Sequence, residues 1–213
     1  MSWRISLIVG VGVVLGILAG RYTQDSETGT ASWDGLRAAG FAAYACLWLS
    51  VCTGIAVHLR FRPGPMAITW LLEGHRITSS LGLSFLAGHL VGLLVDPTIS
   101  FKVVDIAVGL TSSYRPWQMA LGAAAFWSLV TVLASTAFSR RLPYSAWRNL
   151  HYLSFPAYGL ALVHGLTAGT DASSNLAMSL YASTGAVVAA LLVVRVLGRG
   201  WAEASAGSAR PTP

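Results

Sequence analysis

Four histidines carry the chemistry that this chain can do. His75 and His89 close the stretch GHRITSSLGLSFLAGH, and His151 and His164 stand in WRNLHYLSFPAYGLALVHG. Both stretches are apolar and of membrane-spanning length, where an imidazole is costly unless it is partnered or bound. In a helix the fourteen steps from His75 to His89 advance about 21 Å and turn about 1,400°, some 40° short of four full turns. Those two rings therefore share one helix face at two depths. The thirteen steps from His151 to His164 leave an ideal-helix pair about 140° apart. Pro156 lacks a backbone donor, and it predicts the kink or tightened turn that realigns them. Two parallel helices then set His75 opposite His151 and His89 opposite His164.

Paired imidazoles at two depths suit haem iron, which takes neutral imidazole on both faces. Two haems would use all four histidines, and filled axial positions favour electron transfer over oxygen binding. Zinc wants its ligands gathered in one tetrahedron, whereas these are spread across the membrane. A histidine-lined metal or proton transporter is the alternative from another class, but such relays usually add buried carboxylates. No expected span interior contains one. Gly82, midway between His75 and His89, and Gly159, between His151 and His164, would let a flat group lie against the backbone. Ser79 and Gly88 keep neighbouring positions small. Arg76 and Arg148 beside the inner histidines, and Arg115 before the fourth span, are candidate contacts for haem propionates, which accept charge-assisted bonds from Arg. For Arg76 and Arg148 the competing reading is an ordinary membrane-flanking cation. Asp171, after HGLTAG, reads as a solvated loop acid or as a contact for acceptor metal. His58 reads as an interfacial histidine.

The elements that must position these residues are membrane helices. The 213 residues are 54% hydrophobic and 10% charged, against about 25% charged in soluble chains. Six apolar stretches, 5–20, 38–58, 76–95, 117–138, 147–168 and 176–197, approach the roughly 20 residues that cross a bilayer. The expected fold is an all-α integral membrane protein, a six-transmembrane-helix bundle in the plasma (inner) membrane. Residues 1–37 form the first transmembrane helix and an extracytoplasmic loop, 38–197 the haem-binding core, and 198–213 a disordered cytoplasmic tail. The first stretch also reads as a cleaved signal peptide, although Gly12, Gly16 and Gly20 make a small-residue stripe suited to helix packing.

Charge sets the orientation. Of the 14 basic residues only Arg21, Arg37, Lys102 and Arg115 fall on one side, together with six of the eight acids. The other side, with Arg4, Arg60, Arg62, Arg76, Arg140, Arg141, Arg148, Arg195, Arg199 and Arg210, is the cytoplasmic one, and both termini face it. The net charge of +6 thus reports topology, and no nucleic acid partner is expected. Cys46 and Cys52 lack a CxxC pair and read as small buried residues.

Six spans, His-x13-His on the third and His-x12-His on the fifth resemble the ferric reductase-like transmembrane domain family. This is the membrane part of ferric reductases and NADPH oxidases, and the group includes the haem-bearing membrane subunit of bacterial methionine-sulfoxide reductase systems. The resemblance covers residues 40–197 and includes SSYRPW at 112–117. It implies two b-type haems held by His75 with His151 and His89 with His164. It also implies an oxidoreductase component moving electrons from cytoplasmic reduced flavin to an acceptor outside. Full-length ferric reductases and NADPH oxidases continue into an FAD- and NAD(P)H-binding domain. No FAD or NAD(P) site is found in this chain, so a flavoprotein reductase or membrane quinol is expected as donor. The acceptor would be ferric iron, oxygen or, in the methionine-sulfoxide alternative, a periplasmic reductase protein.

Overall fold

The computed structural model describes residues 30–59, 67–97, 99–169, 172 and 174–208. The stretch at 5–20, Asp171 and the end of the tail lie outside these residues. Among the described residues every regular element is a helix: α1 Thr30–His58, α2 Ala67–Val95, α3 Val103–Val108, α4 Pro116–Ala137, α5 Tyr144–His151, α6 Ser154–Ala168 and α7 Asn175–Ser208. Four segments are long and apolar enough to cross a membrane, namely Trp33–His58, Ile68–Val95, Pro116–Ala137 and Asn175–Leu197. Large apolar side chains such as Trp70, Phe85, Trp127, Val163 and Val194 point outward, as helices that are apolar all round require lipid around them. Small residues fill the inside: Ala123, Ala157, Ala177, Ser80 and Thr184 are buried and let helices approach closely. Several buried hydroxyls return to their own helix, as Ser80 does to the Arg76 carbonyl at 2.9 Å, which satisfies them without water.

Several helices outrun their apolar stretches, and α7 continues to Ser208 where a disordered tail from 198 was expected. α1 starts at Thr30 and α2 at Ala67, ahead of the expected 38 and 76. Ion pairs one turn apart, Arg37–Asp34 at 3.1 Å and Arg76–Glu73 at 3.5 Å, suit a helix that continues past the apolar limit.

The fifth apolar stretch is two helices, α5 and α6, broken at Tyr152–Leu153. Pro156 cannot donate to the Tyr152 carbonyl. That carbonyl accepts instead from Phe155 N–H at 3.1 Å, and Leu153 N–H donates to Leu150 O at 3.1 Å, both three residues apart. The four-residue pattern resumes with Ala157 N–H on Leu153 O at 2.9 Å. Three-residue turns wind about 120° per residue against about 100° in an α-helix. The extra rotation is in the sense that thirteen residues lack.

α1 and α2 pack antiparallel along their lengths, α4 packs against α6, and α7 lies against α1 and α6. Gly82 serves the first pair: a Cβ there would sit 3.2 Å from Cys46 Cβ on α1. At the junction of α1, α6 and α7, Tyr44 Oη lies 2.6 Å from Thr184 Oγ1 and 3.1 Å from Tyr158 Oη. The Tyr181 ring meets Tyr44 edge-on at 5.0 Å. Tyr44→Phe keeps the rings and removes the shared hydroxyl. It should cost about 1 kcal/mol, in the range for hydrogen bonds between membrane helices, read as a lower unfolding midpoint in detergent.

The connection from α2 to α4 is fastened by three groups. Gly109 turns at φ +79, and a Cβ there would meet the Ala120 backbone at 2.3 Å, so only glycine fits. Arg115, whose approach to αR is disfavoured by Pro116, adopts φ 43 at the N-terminus of α4. Asp105 accepts from Thr111 Oγ1 at 2.7 Å and from Lys102 N–H at 2.9 Å. Those bonds, Thr111's first, hold its carboxyl below the usual carboxylate range. A carboxyl with a depressed pKa stabilises the fold above its ordinary value and loses that contribution as pH falls through the depressed one. Asp105→Asn should therefore lower the unfolding midpoint at neutral pH. The gap to the parent should close under strongly acidic conditions.

Candidate functional site

α2 and α6 make little direct backbone contact, and a cavity of about 1180 Å³ lies along their facing sides. That exceeds the roughly 300–1,000 Å³ of a site for one small ligand. All four histidines line it: His75 and His89 from α2, His151 from the end of α5, and His164 from α6. The His75 and His151 rings lie edge to face with centroids 6.1 Å apart and planes at 65°. His89 and His164 line the cavity further along α2 and α6.

Three of the four rings are held by one repeated device. The Nδ1 of His89 donates to Leu36 O at 2.8 Å, that of His75 to Ser50 O at 2.9 Å, and that of His164 to Gln118 O at 2.8 Å. Each acceptor lies four residues before a glycine that faces the ring. A Cβ on Gly40 would lie 3.0 Å from His89 Nδ1, one on Gly54 3.4 Å from His75 Cε1, and one on Gly122 2.8 Å from His164 Cε1. The missing side chain lets the imidazole reach a carbonyl of the neighbouring helix. An Nδ1–H so engaged fixes the tautomer and leaves Nε2 as the lone-pair donor, the arrangement found in metal-bound histidines.

His151 is the exception. Its Nδ1 is buried without a hydrogen-bond partner, and so is Nε1 of Trp147, whose ring stacks on it at 5.2 Å. Thirteen and fourteen residues along α4 from Gly122 stand Ser135 and Thr136, not glycine.

The residues fit paired metal coordination. Two imidazole–metal bonds of about 2 Å each, with half of each ring added, account for the separation of His75 and His151. Among the described residues no three of His, Cys, Asp and Glu gather round one point. His75 and His151 meet as a pair, and all four imidazoles line the one cavity.

The remaining candidates divide. Arg76 and Arg148 line the cavity at the His75–His151 end. Both are exposed, Arg76 paired with Glu73 at 3.5 Å and Arg148 lying over the Tyr144 ring at 5.5 Å. Arg115 is absent from the cavity lining. Its guanidinium donates to Thr167 O at 2.7 Å, pinning the start of α4 to the end of α6. Gly82 lines the cavity and also meets α1, whereas a Cβ on Gly159 would meet nothing within 4 Å, and Gly159 does not line the cavity. His58 is exposed at the end of α1, on the cavity's rim.

Gly40, Gly54 and Gly122 were missed by sequence reasoning. One signal was available: Gly40 and Gly54 are fourteen residues apart on α1, the same interval as His75 and His89 on α2.

No protein-family model matches the chain, and no curated protein or solved structure shows significant similarity to it.

Proposed function

We propose that the chain is a di-haem b subunit that carries electrons across the plasma membrane. The proposed bundle has six spans with both termini cytoplasmic. Its electrons come from a cytoplasmic flavoprotein reductase or quinol and go to an extracytoplasmic acceptor. The observation that carries this reading is the anchoring of His75, His89 and His164 by Nδ1 to backbone carbonyls, with Nε2 left to bind. A proton relay or a zinc site gives no reason for that arrangement at two levels.

Each haem, when bound, supplies a one-electron carrier. The chain does the rest. His75 with His151 and His89 with His164 would hold the two haems. Gly40, Gly54 and Gly122 clear the space that three of those rings need. The mostly apolar cavity wall would limit water around them. The resemblance to the ferric reductase-like domain agrees with this reading, and the basic residues at the His75–His151 end agree with a cytoplasmic side.

Purified protein from haem-replete cells should show a reducible b-type spectrum and two haems per chain. A haem-free preparation that is folded and monodisperse would sink the proposal. Proteoliposome flux of metal or protons by that haem-free protein would then favour the transporter reading.

A further inference from the structure

We infer that Arg195 receives a haem propionate at the His75–His151 end of the cavity, an inference that rests on the di-haem reading. On sequence grounds Arg195 is one of ten cytoplasmic-side cations. The fold sets it apart. It is only 9% exposed, whereas Arg76, Arg140 and Arg148, which line the same end, are exposed.

Its position follows from the helix break. Tyr152 is in the interruption between α5 and α6, and Phe155 is in the first turn after it. The Arg195 guanidinium lies 5.1 Å from the centroids of both rings. Those faces attract a cation but cannot neutralise it. Among the described residues Arg195 has no carboxylate partner. A buried charge without a counter-ion is costly, and Arg195 faces a cavity that it shares with His75 and His151. The planar fork of a guanidinium matches a carboxylate with two parallel bonds. A haem held by His75 and His151 brings carboxylates of its own to this cavity. Arg195 is thus a positioning residue, acting on the orientation and potential of the bound group.

The test uses the purified holoprotein with its two haem potentials resolved by redox titration. Removing a positive charge near iron favours the ferric form. Arg195→Met should therefore move one midpoint downward by roughly tenfold in the reduced-to-oxidised ratio, about 59 mV for one electron, and leave the other in place. Arg195→Lys should retain most of the potential. The second arm is reconstitution with haem whose propionates are methyl esters. The esters should weaken binding at one site of the parent and add no further loss in Arg195→Met, as expected for two changes that remove the same contact.

Unchanged potentials in a two-haem Arg195→Met protein overturn the inference, and so does an equal shift of both. If Arg195→Met does not assemble, esterified haem in the parent decides, and undiminished binding at both sites overturns it. A parent without haem overturns the functional reading instead, so the two failures are distinguishable.

Discussion

Haem content should fall from two per chain to one in His164→Ala, and again in His89→Ala. These two residues line the cavity at the end remote from His58. Neither contributes to the His75–His151 pair. Under the proposed pairing, removing one ligand would leave the haem there with a single histidine. The measurement is haem per chain by difference absorbance, with low-temperature electron paramagnetic resonance to count low-spin signals. One signal should disappear and the other persist. Loss of neither, or of both in a protein that remains folded, would refute the pairing.

The glycine opposite a histidine should matter nearly as much as the histidine. Gly122→Val places a branched side chain where a single Cβ already lies 2.8 Å from His164 Cε1. The ring must leave the Gln118 carbonyl, and its tautomer and aim are no longer fixed. Losing such an outer partner typically weakens metal binding about 10- to 100-fold. We expect haem at the His89–His164 pair to be lost on dilution or washing, while the helix itself gains from the removal of glycine. Gly159→Val is the control. Its side chain meets open space, so haem retention should match the parent. Equal behaviour of the two variants would show that the glycines act through helix propensity alone.

The histidines were legible in the sequence because their residue type is anomalous in an apolar helix and their spacing sets depth. The partner glycines were not. Gly40 and Gly54 acquire meaning only once α1 is known to run antiparallel beside α2, and nothing local to GFAAYACLWLSVCTG states that neighbour. Pro156 announced an irregularity, but its site is four residues earlier, because the proline acts through the carbonyl it fails to serve. Arg195 was hidden among the flanking cations. A charge count assigns a side of the membrane and does not say which cation faces inward. Arg115 was singled out by the scarcity of Arg on its side, and only the fold shows that it ties the start of α4 to the end of α6.

The interruption after His151 also gives the two ends of the molecule different mechanical compliance. His164 is set within α6 and tied to α4, so it moves only when two packed helices move. His151 ends a helix of eight residues, too short to hold its own conformation and joined to α6 by a tightened turn. α5 instead rests on α4 and reaches α6 only through the turn at Tyr152–Leu153, so the surface that carries Tyr144 and Arg148 adjoins the His151 end and not the His164 end.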